Sequence, residues 1–178
     1  PDGEMALALN DMEIFRHVTP DYLASRLSVL NNAQLVVVDA NIPEESIAWL
    51  CEHVTVPIFA DPVSTAKAGK FRGSLGRLHT IKPNRLEAEL LSGVTIADRA
   101  SLERAADALL DTGLHRVFIS LGGDGLFAAD RQGGRLLIPC YPGTMVNTTG
   151  CGDAAMAAVA WAYLQGTDLE GTARAALA

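Results

Sequence analysis

Short apolar runs alternate with amphipathic stretches along most of this chain. Gln34–Asp39 (Gln-Leu-Val-Val-Val-Asp) is a continuous β-branched run, the pattern of a strand buried on both faces of a parallel sheet. Val56–Ala60, His79–Lys82, Arg116–Leu121, Leu126–Ala129 and Arg135–Pro139 predict five further strands. Glu4–Asn10 reads as another short strand, leaving the turn Pro1-Asp2-Gly3. Helical patterns fall between them. Thr19, with Pro20 at the first helical position and Asp21 in the first turn, opens a helix whose apolar face is Tyr22, Leu23, Leu27 and Leu30. Pro43-Glu44-Glu45 opens a second, running to about Glu52. Ser101–Thr112 places Leu102, Ala105, Ala106, Leu109 and Leu110 on one side, and Gly113 ends it. From Gln34 onward this alternation predicts an α/β domain with a mostly parallel sheet and covering helices. The strand ends at Asp39, Asp61, Lys82 and Ser120, with the loop at Asn147, are expected to converge on one edge of it, where open α/β sheets place ligands.

Composition narrows the classes. At 178 residues and 49% hydrophobic content, the chain can bury one sizeable core. Its net charge of −7 argues against partners held by general electrostatics, so neither nucleic acid nor an anionic membrane is expected. No apolar run reaches membrane-spanning length. Cys51, Cys140 and Cys151 are scattered and read as reduced thiols of a cytoplasmic protein. The four histidines follow no ligand spacing. Pro1-Asp2-Gly3-Glu4 has neither the basic n-region nor the apolar core of a signal peptide. The abrupt start, and a finish within the alanine-rich run 173–178, suggest a piece of a larger fold.

Three stretches carry candidate chemistry. Val146-Asn147-Thr148-Thr149-Gly150-Cys151-Gly152-Asp153 runs directly into a helix-forming segment. Helix N-termini attract anions, and Gly150 and Gly152 let the backbone approach one closely. A carboxylate at that point, Asp153, suits a general base taking a proton from an attacking hydroxyl; the alternative is a glycine turn with Asp153 capping a core helix. In Pro83-Asn84-Arg85-Leu86-Glu87, Asn84 and Glu87 form a capping-box pair and also share the face that would hold a hydrated divalent cation. Gly122-Gly123-Asp124-Gly125 is a hairpin turn or a phosphate-contacting loop. Lys67 and Lys70 are either a solvated face or substrate contacts. No P-loop and no dinucleotide fingerprint is present.

Taken together, these stretches resemble the ribokinase (PfkB) family of carbohydrate and nucleoside kinases. Thr149–Ala154 is similar to the family's second signature, Lys82–Glu87 to its N-x-x-E motif and Ser120–Gly125 to its ATP-binding glycine loop, in the family's order. Within the family, the bacterial pseudouridine kinase branch comes nearest. That rests on Asn10-Asp11-Met12, Asp39-Ala40-Asn41, Asp61-Pro62-Val63-Ser64 with Lys67, and Ile81–Glu89.

The resemblance implies a ribokinase-like three-layer α/β/α sandwich with a mostly parallel sheet. It covers the middle and later part of that fold: one partial domain over 1–178, in which 1–11 are a remnant of the lid and its return strand. It implies transfer of the γ-phosphoryl of ATP to the 5′-hydroxyl of pseudouridine, with ribose, fructose or another nucleoside as the runner-up acceptor. Asp153 would be the base, and the N–H groups of Gly150, Cys151 and Gly152 the anion hole. Ser120, Gly122, Gly125, Asn84 and Gly152 would line the nucleotide, and Asn84 and Glu87 would position Mg²⁺ through water. Asn10, Asp11 and Asn41 would lie with Asp153 on the nucleoside side. Cys151 replaces the usual Ala without altering the backbone N–H. Asn147 replaces an Asp found in many members near a monovalent-cation site, which leaves a K⁺ requirement open. A homodimer through the lid is implied. The family's first signature and most of its lid are expected before Pro1, so these 178 residues alone are expected to lack kinase activity. A non-catalytic nucleotide- or sugar-sensing domain is the reading of another class, and the intact Gly-x-Gly-Asp speaks against it.

Overall fold

Four parallel strands followed by an antiparallel pair make one sheet, in the spatial order β1 to β6. The computed structural model describes residues 11–143 and 147–178. The strands are β1 (Val36–Asp39), β2 (Ile58–Asp61), β3 (Thr80–Ile81), β4 (Arg116–Ser120), β5 (Leu126–Asp130) and β6 (Arg135–Ile138). β1 to β4 pair in parallel, and β5 and β6 pair antiparallel to their neighbours. The helices are α1 (Pro20–Ala24), α2 (Leu27–Asn31), α3 (Glu44–His53), α4 (Thr65–Ala68), α5 (Arg85–Ser92), α6 (Arg99–Asp111), α7 (Cys151–Leu164) and α8 (Leu169–Leu177).

The layering follows from this order. When consecutive parallel strands lie side by side, crossovers of one hand put every connecting helix on the same face. Accordingly Ile58, Ala60, Val117, Ile119, Phe127 and Ala129 pack with residues of α3, α5 and α6 in one core. The alternate residues Phe59, Phe118, Leu126 and Ala128 pack with Met156, Val159, Leu169 and Ala173 of α7 and α8 in a second. A period of two thus serves two cores, giving the three expected layers. Among the described residues no helix is long and apolar enough to cross a membrane.

Local chemistry sets the boundaries. Thr19 caps α1 by accepting from Tyr22 N at 3.3 Å, with Pro20 at the first position. The single helix predicted across 20–30 is instead two short ones. Ser25 Oγ turns back to Tyr22 O at 2.6 Å, a bond that competes with helix continuation, and of its expected apolar face only Leu23 is buried. α6 begins two residues before Ser101 because Asp98 caps it in a reciprocal box with Ser101. The strand expected to be buried on both faces is buried on one: Val38 is 6% exposed and Val37 49%. Among the described residues β1 is the outermost strand and pairs with β2 alone. The strand predicted at 4–10 lies outside the described residues.

At the amino end of the sheet, His79 stacks between Phe59 at 5.3 Å and His115 at 5.1 Å, with Tyr163 edge-on. Burial first, then His115 and Arg116, push its pKa down from 6.5 to about 4. The unfolded chain therefore binds a proton below 6.5 that the folded chain refuses until about 4. The contribution is fully present above the unfolded value and is lost as pH falls through this window. The urea midpoint is expected to fall between these pH values, and His79→Phe to flatten that slope.

Candidate active site

The carboxyl ends of β1 to β4 bring their polar residues to one edge. Asp61, ending β2, pairs through Oδ2 with Lys82 Nζ just beyond β3 at 3.0 Å, with side chains only 15% and 5% exposed. Its Oδ1 accepts from Val63 N at 3.0 Å. Val63 has φ 66°, an unusual conformation for a β-branched residue. Asp39, ending β1, accepts from Asn41 N at 2.8 Å and from Asn41 Nδ2 at 2.6 Å. Lys67 Nζ donates to Asn41 Oδ1 at 2.6 Å. Lys70 donates to the carbonyls of Ala40 and Ile42, so it clamps the loop after β1.

The N-terminus of α7 faces the same edge. Gly150 is its N-cap, with φ 81°, a conformation that favours glycine. With no side-chain cap, the Asp153-cap alternative is not what the fold contains. Cys151, Gly152 and Asp153 form the exposed first turn. A Cβ at Gly152 would lie 3.6 Å from Lys82 Nζ, so the buried ammonium lies next to this turn. The Cys151 N–H donates to Thr148 O at 3.2 Å, closing the turn, so that donor is already engaged. Among the described residues the N–H groups of Gly150, Gly152 and Asp153 have no acceptor. Asn147 Oδ1 accepts from Thr149 N at 2.8 Å.

Asp153 lines an open cleft of about 500 Å³ with Asp39, Asp61, Val37 and Met156. Asp39 and Asp61 are committed to other residues. No described residue hydrogen-bonds the Asp153 side chain, which is exposed.

Asn84 and Glu87 do form the capping box of α5. Glu87 N donates to Asn84 Oδ1 and Asn84 N to Glu87 Oε2, both at 2.9 Å. Glu87 is 3% exposed. Burial raises its pKa and Asp61 nearby adds to this, against the Asn84 N–H and Lys82. Ser120 sits beside this box, because its N–H donates to Pro83 O at 2.9 Å and Asn84 bridges to it. The glycine loop follows as the β4–β5 hairpin connection. Gly125 has φ 101°, and a Cβ there would come 2.0 Å from Ile138 O, so only glycine lets the loop lie against β6. Gly122, Gly123 and Asp124 are exposed, and Asp124 pairs with Arg85 at 3.1 Å.

The structure thus brings Asp153, Gly150, Cys151 and Gly152 to the edge where β1 to β4 end, and joins Asn84, Glu87, Ser120, Gly122 and Gly125 through β3, α5 and β4. It separates Asn41 somewhat from them. Asn41 opens on a second cleft of about 700 Å³, lined also by Met12, Phe15, Arg16, Lys67 and Lys70. Asp11, next in sequence to Met12 of that lining, accepts from Glu13 N at 3.0 Å, and Asn10 lies outside the described residues. Sequence reasoning placed Lys82 at a strand end, Lys67 in a polar segment and Asn41 on the substrate side; what it passed over is their pairing, Lys82 with Asp61 and Lys67 with Asn41. Their one available signal was a lysine closing a buried strand, since buried charge requires a partner.

A family model described as pfkB family carbohydrate kinase matches residues 2–178. The pseudouridine kinase of Escherichia coli (strain K12) is 41% identical over 165 residues, 92% of this chain and 53% of that protein. A solved carbohydrate kinase from Agrobacterium tumefaciens superposes with TM-score 0.80 at 25% identity, covering 99% of this chain and 56% of that one. Arabidopsis thaliana ribokinase, solved in complex with ribose and ATP, superposes with TM-score 0.76 at 24% identity over 85% of this chain and 50% of that one. The chain spans about half the length of these relatives.

Proposed function

The chain belongs to the pfkB family of carbohydrate kinases, and from that membership we propose that its full-length polypeptide transfers the γ-phosphoryl of ATP to the 5′-hydroxyl of pseudouridine. The observation that carries the reading is Asp153: an exposed carboxylate in the first turn of α7 that no described residue hydrogen-bonds, beside backbone N–H groups without an acceptor among the described residues and in one cleft with the ends of β1 and β2. In this reading Asp153 accepts the hydroxyl proton as the oxygen attacks phosphorus. The N–H groups of Gly150 and Gly152, with the helix dipole, stabilise charge on the transferred group. Cys151 supports the turn through its bond to Thr148 O. Ser120, Gly122 and Gly125 line the nucleotide.

Mg²⁺ fits the donor set in one way. Among the described residues there is no cluster of three or more His, Cys, Asp or Glu able to hold a metal, which disfavours an all-protein cage. Glu87 with Asn84 suits a hydrated ion shared with phosphate oxygens. Bound there, it would neutralise phosphate charge. Pseudouridine is the acceptor favoured by the 41% identity to the Escherichia coli enzyme.

The test is a panel of pseudouridine, uridine, adenosine, ribose and fructose with the full-length polypeptide, ATP and Mg²⁺. Pseudouridine is expected to give the highest kcat/KM. A clear preference for ribose or fructose would move the acceptor assignment. ATP binding with no turnover of any acceptor would replace the kinase reading with a sensor.

A further inference from the structure

Three carboxylates, Asp39, Asp61 and Asp153, line the first cleft. A group bearing phosphate charge is repelled there unless positive charge answers them. Lys67 and Lys70 are engaged on the loop after β1, and Arg85 on Asp124. Lys82 is placed differently. Its N–H donates to Ala60 O at 3.0 Å, and its side chain stands among three elements. Asp61, ending β2, is 3.0 Å from Nζ. Gly152, in the first turn of α7, is so close that a Cβ there would lie 3.6 Å from Nζ. Glu87 of the α5 capping box is within electrostatic reach of Lys82 and Asp61 alike. A lysine ammonium carries three N–H groups, and Asp61 is its one ion-pair partner among the described residues. Donors therefore remain on a side chain only 5% exposed, in a setting that strengthens any hydrogen bond they make.

We propose that Lys82 is a further catalytic residue, whose ammonium, held in place by Asp61, meets the oxygens of the phosphoryl group in transfer and stabilises their charge. The inference rests on the kinase reading above. In the transfer, the bond from the γ-phosphorus to the bridging oxygen of ATP breaks and its electron pair leaves with ADP. The acceptor oxygen bonds to phosphorus, and its proton passes to Asp153. Lys82 keeps its protons throughout and donates charge-assisted hydrogen bonds that strengthen as charge builds. Asp61 acts through Lys82 as a positioning residue. Were Lys82 needed by the fold alone, a change that restores the fold without the ammonium would also restore the rate.

The experiment compares the full-length enzyme with Lys82→Arg and with the double variant Lys82→Met, Asp61→Asn, each beside its urea midpoint. The double variant removes one charge of each sign, so the net charge of the edge is kept and the midpoint should recover. Its kcat for the preferred acceptor should still be roughly 10²- to 10³-fold below wild type, the scale of a lost donor to developing charge, with KM for that acceptor within a few-fold. Its affinity for ADP with aluminium fluoride, a mimic of the group in transfer, should fall by more than its affinity for ATP. Lys82→Arg keeps the charge and should lose less kcat than the double variant. If the double variant fails to fold, Lys82→Gln, whose amide can still donate to Asp61, takes its place with the same expectations. A folded neutral variant with kcat within about threefold of wild type overturns this inference alone, and so does an equal loss of affinity for ATP and for the mimic. A wild type that phosphorylates no acceptor overturns it together with the kinase reading.

Discussion

Replacing Asp153 with Asn in the full-length polypeptide is expected to lower turnover by roughly 10²- to 10⁴-fold, the usual contribution of a positioned base. Asn keeps the shape and loses the capacity to take a proton at neutral pH. The change should cost the fold little, because the side chain is exposed and no described residue bonds to it. What it removes is a charge in the first turn of α7, about 0.3 to 1 kcal/mol of interaction with the helix dipole. ATP affinity should stay within a few-fold, since the backbone donors remain and one negative charge near the phosphates is gone. Steady-state kinetics beside calorimetric titration of ATP separate the two effects. Turnover near wild type would remove Asp153 from the base role and with it the main support for phosphoryl transfer.

That Asp153 was visible in the sequence at all reflects how local its setting is. Gly150, Gly152 and Asp153 lie within four positions, and a glycine turn entering a helix needs no tertiary knowledge to recognise. Asn84 and Glu87 were visible for the same reason, since a capping box is a three-residue spacing. The strands at 58–61 and 116–120 announced themselves because both faces are buried, so nearly every position must be apolar. β1 has the same composition, yet Val37 is 49% exposed. Composition reports what a strand can bury, and the number of its neighbours decides what it does bury. The break at Ser25 was hidden because a serine at that position continues a helix or ends it according to where its hydroxyl turns.

The remaining site contacts join residues far apart in the chain. Asn41 meets Lys67 across 26 positions, and Asp61 meets Lys82 from a different strand end. Alone, Asp61 and Lys82 read as strand ends at the ligand edge, Asn41 as a nucleoside-side candidate and Lys67 as a solvated face or substrate contact, and none of them names its partner. Only the parallel order of β1, β2 and β3, which sets their carboxyl ends side by side, turns them into pairs.

The Asp61–Lys82 pair carries the largest expected stability effect. Lys82→Met keeps the length of the side chain and its apolar stem, and should destabilise the protein by about 3 to 5 kcal/mol, because it leaves a poorly solvated carboxylate without its partner. Asp61 has a second duty. Its Oδ1 holds Val63 N at 3.0 Å, and Val63 sits at φ 66°, a conformation costing of order 1 to 3 kcal/mol. An Asp61 that swings toward water to recover hydration would release that loop as well. Urea unfolding at neutral pH measures the loss. The double variant Lys82→Met with Asp61→Asn should recover most of it, since the charge is gone and the Asn carbonyl still accepts from Val63 N. A loss under about 1 kcal/mol in the single variant would place the pair among solvent-screened surface bridges. The loop would then be held by its backbone alone, through the bond from Ser64 N to Pro62 O at 2.7 Å. Recovery in the double variant would instead show that the unpaired charge, more than the missing ammonium, is what the fold cannot hold between β2 and the first turn of α7.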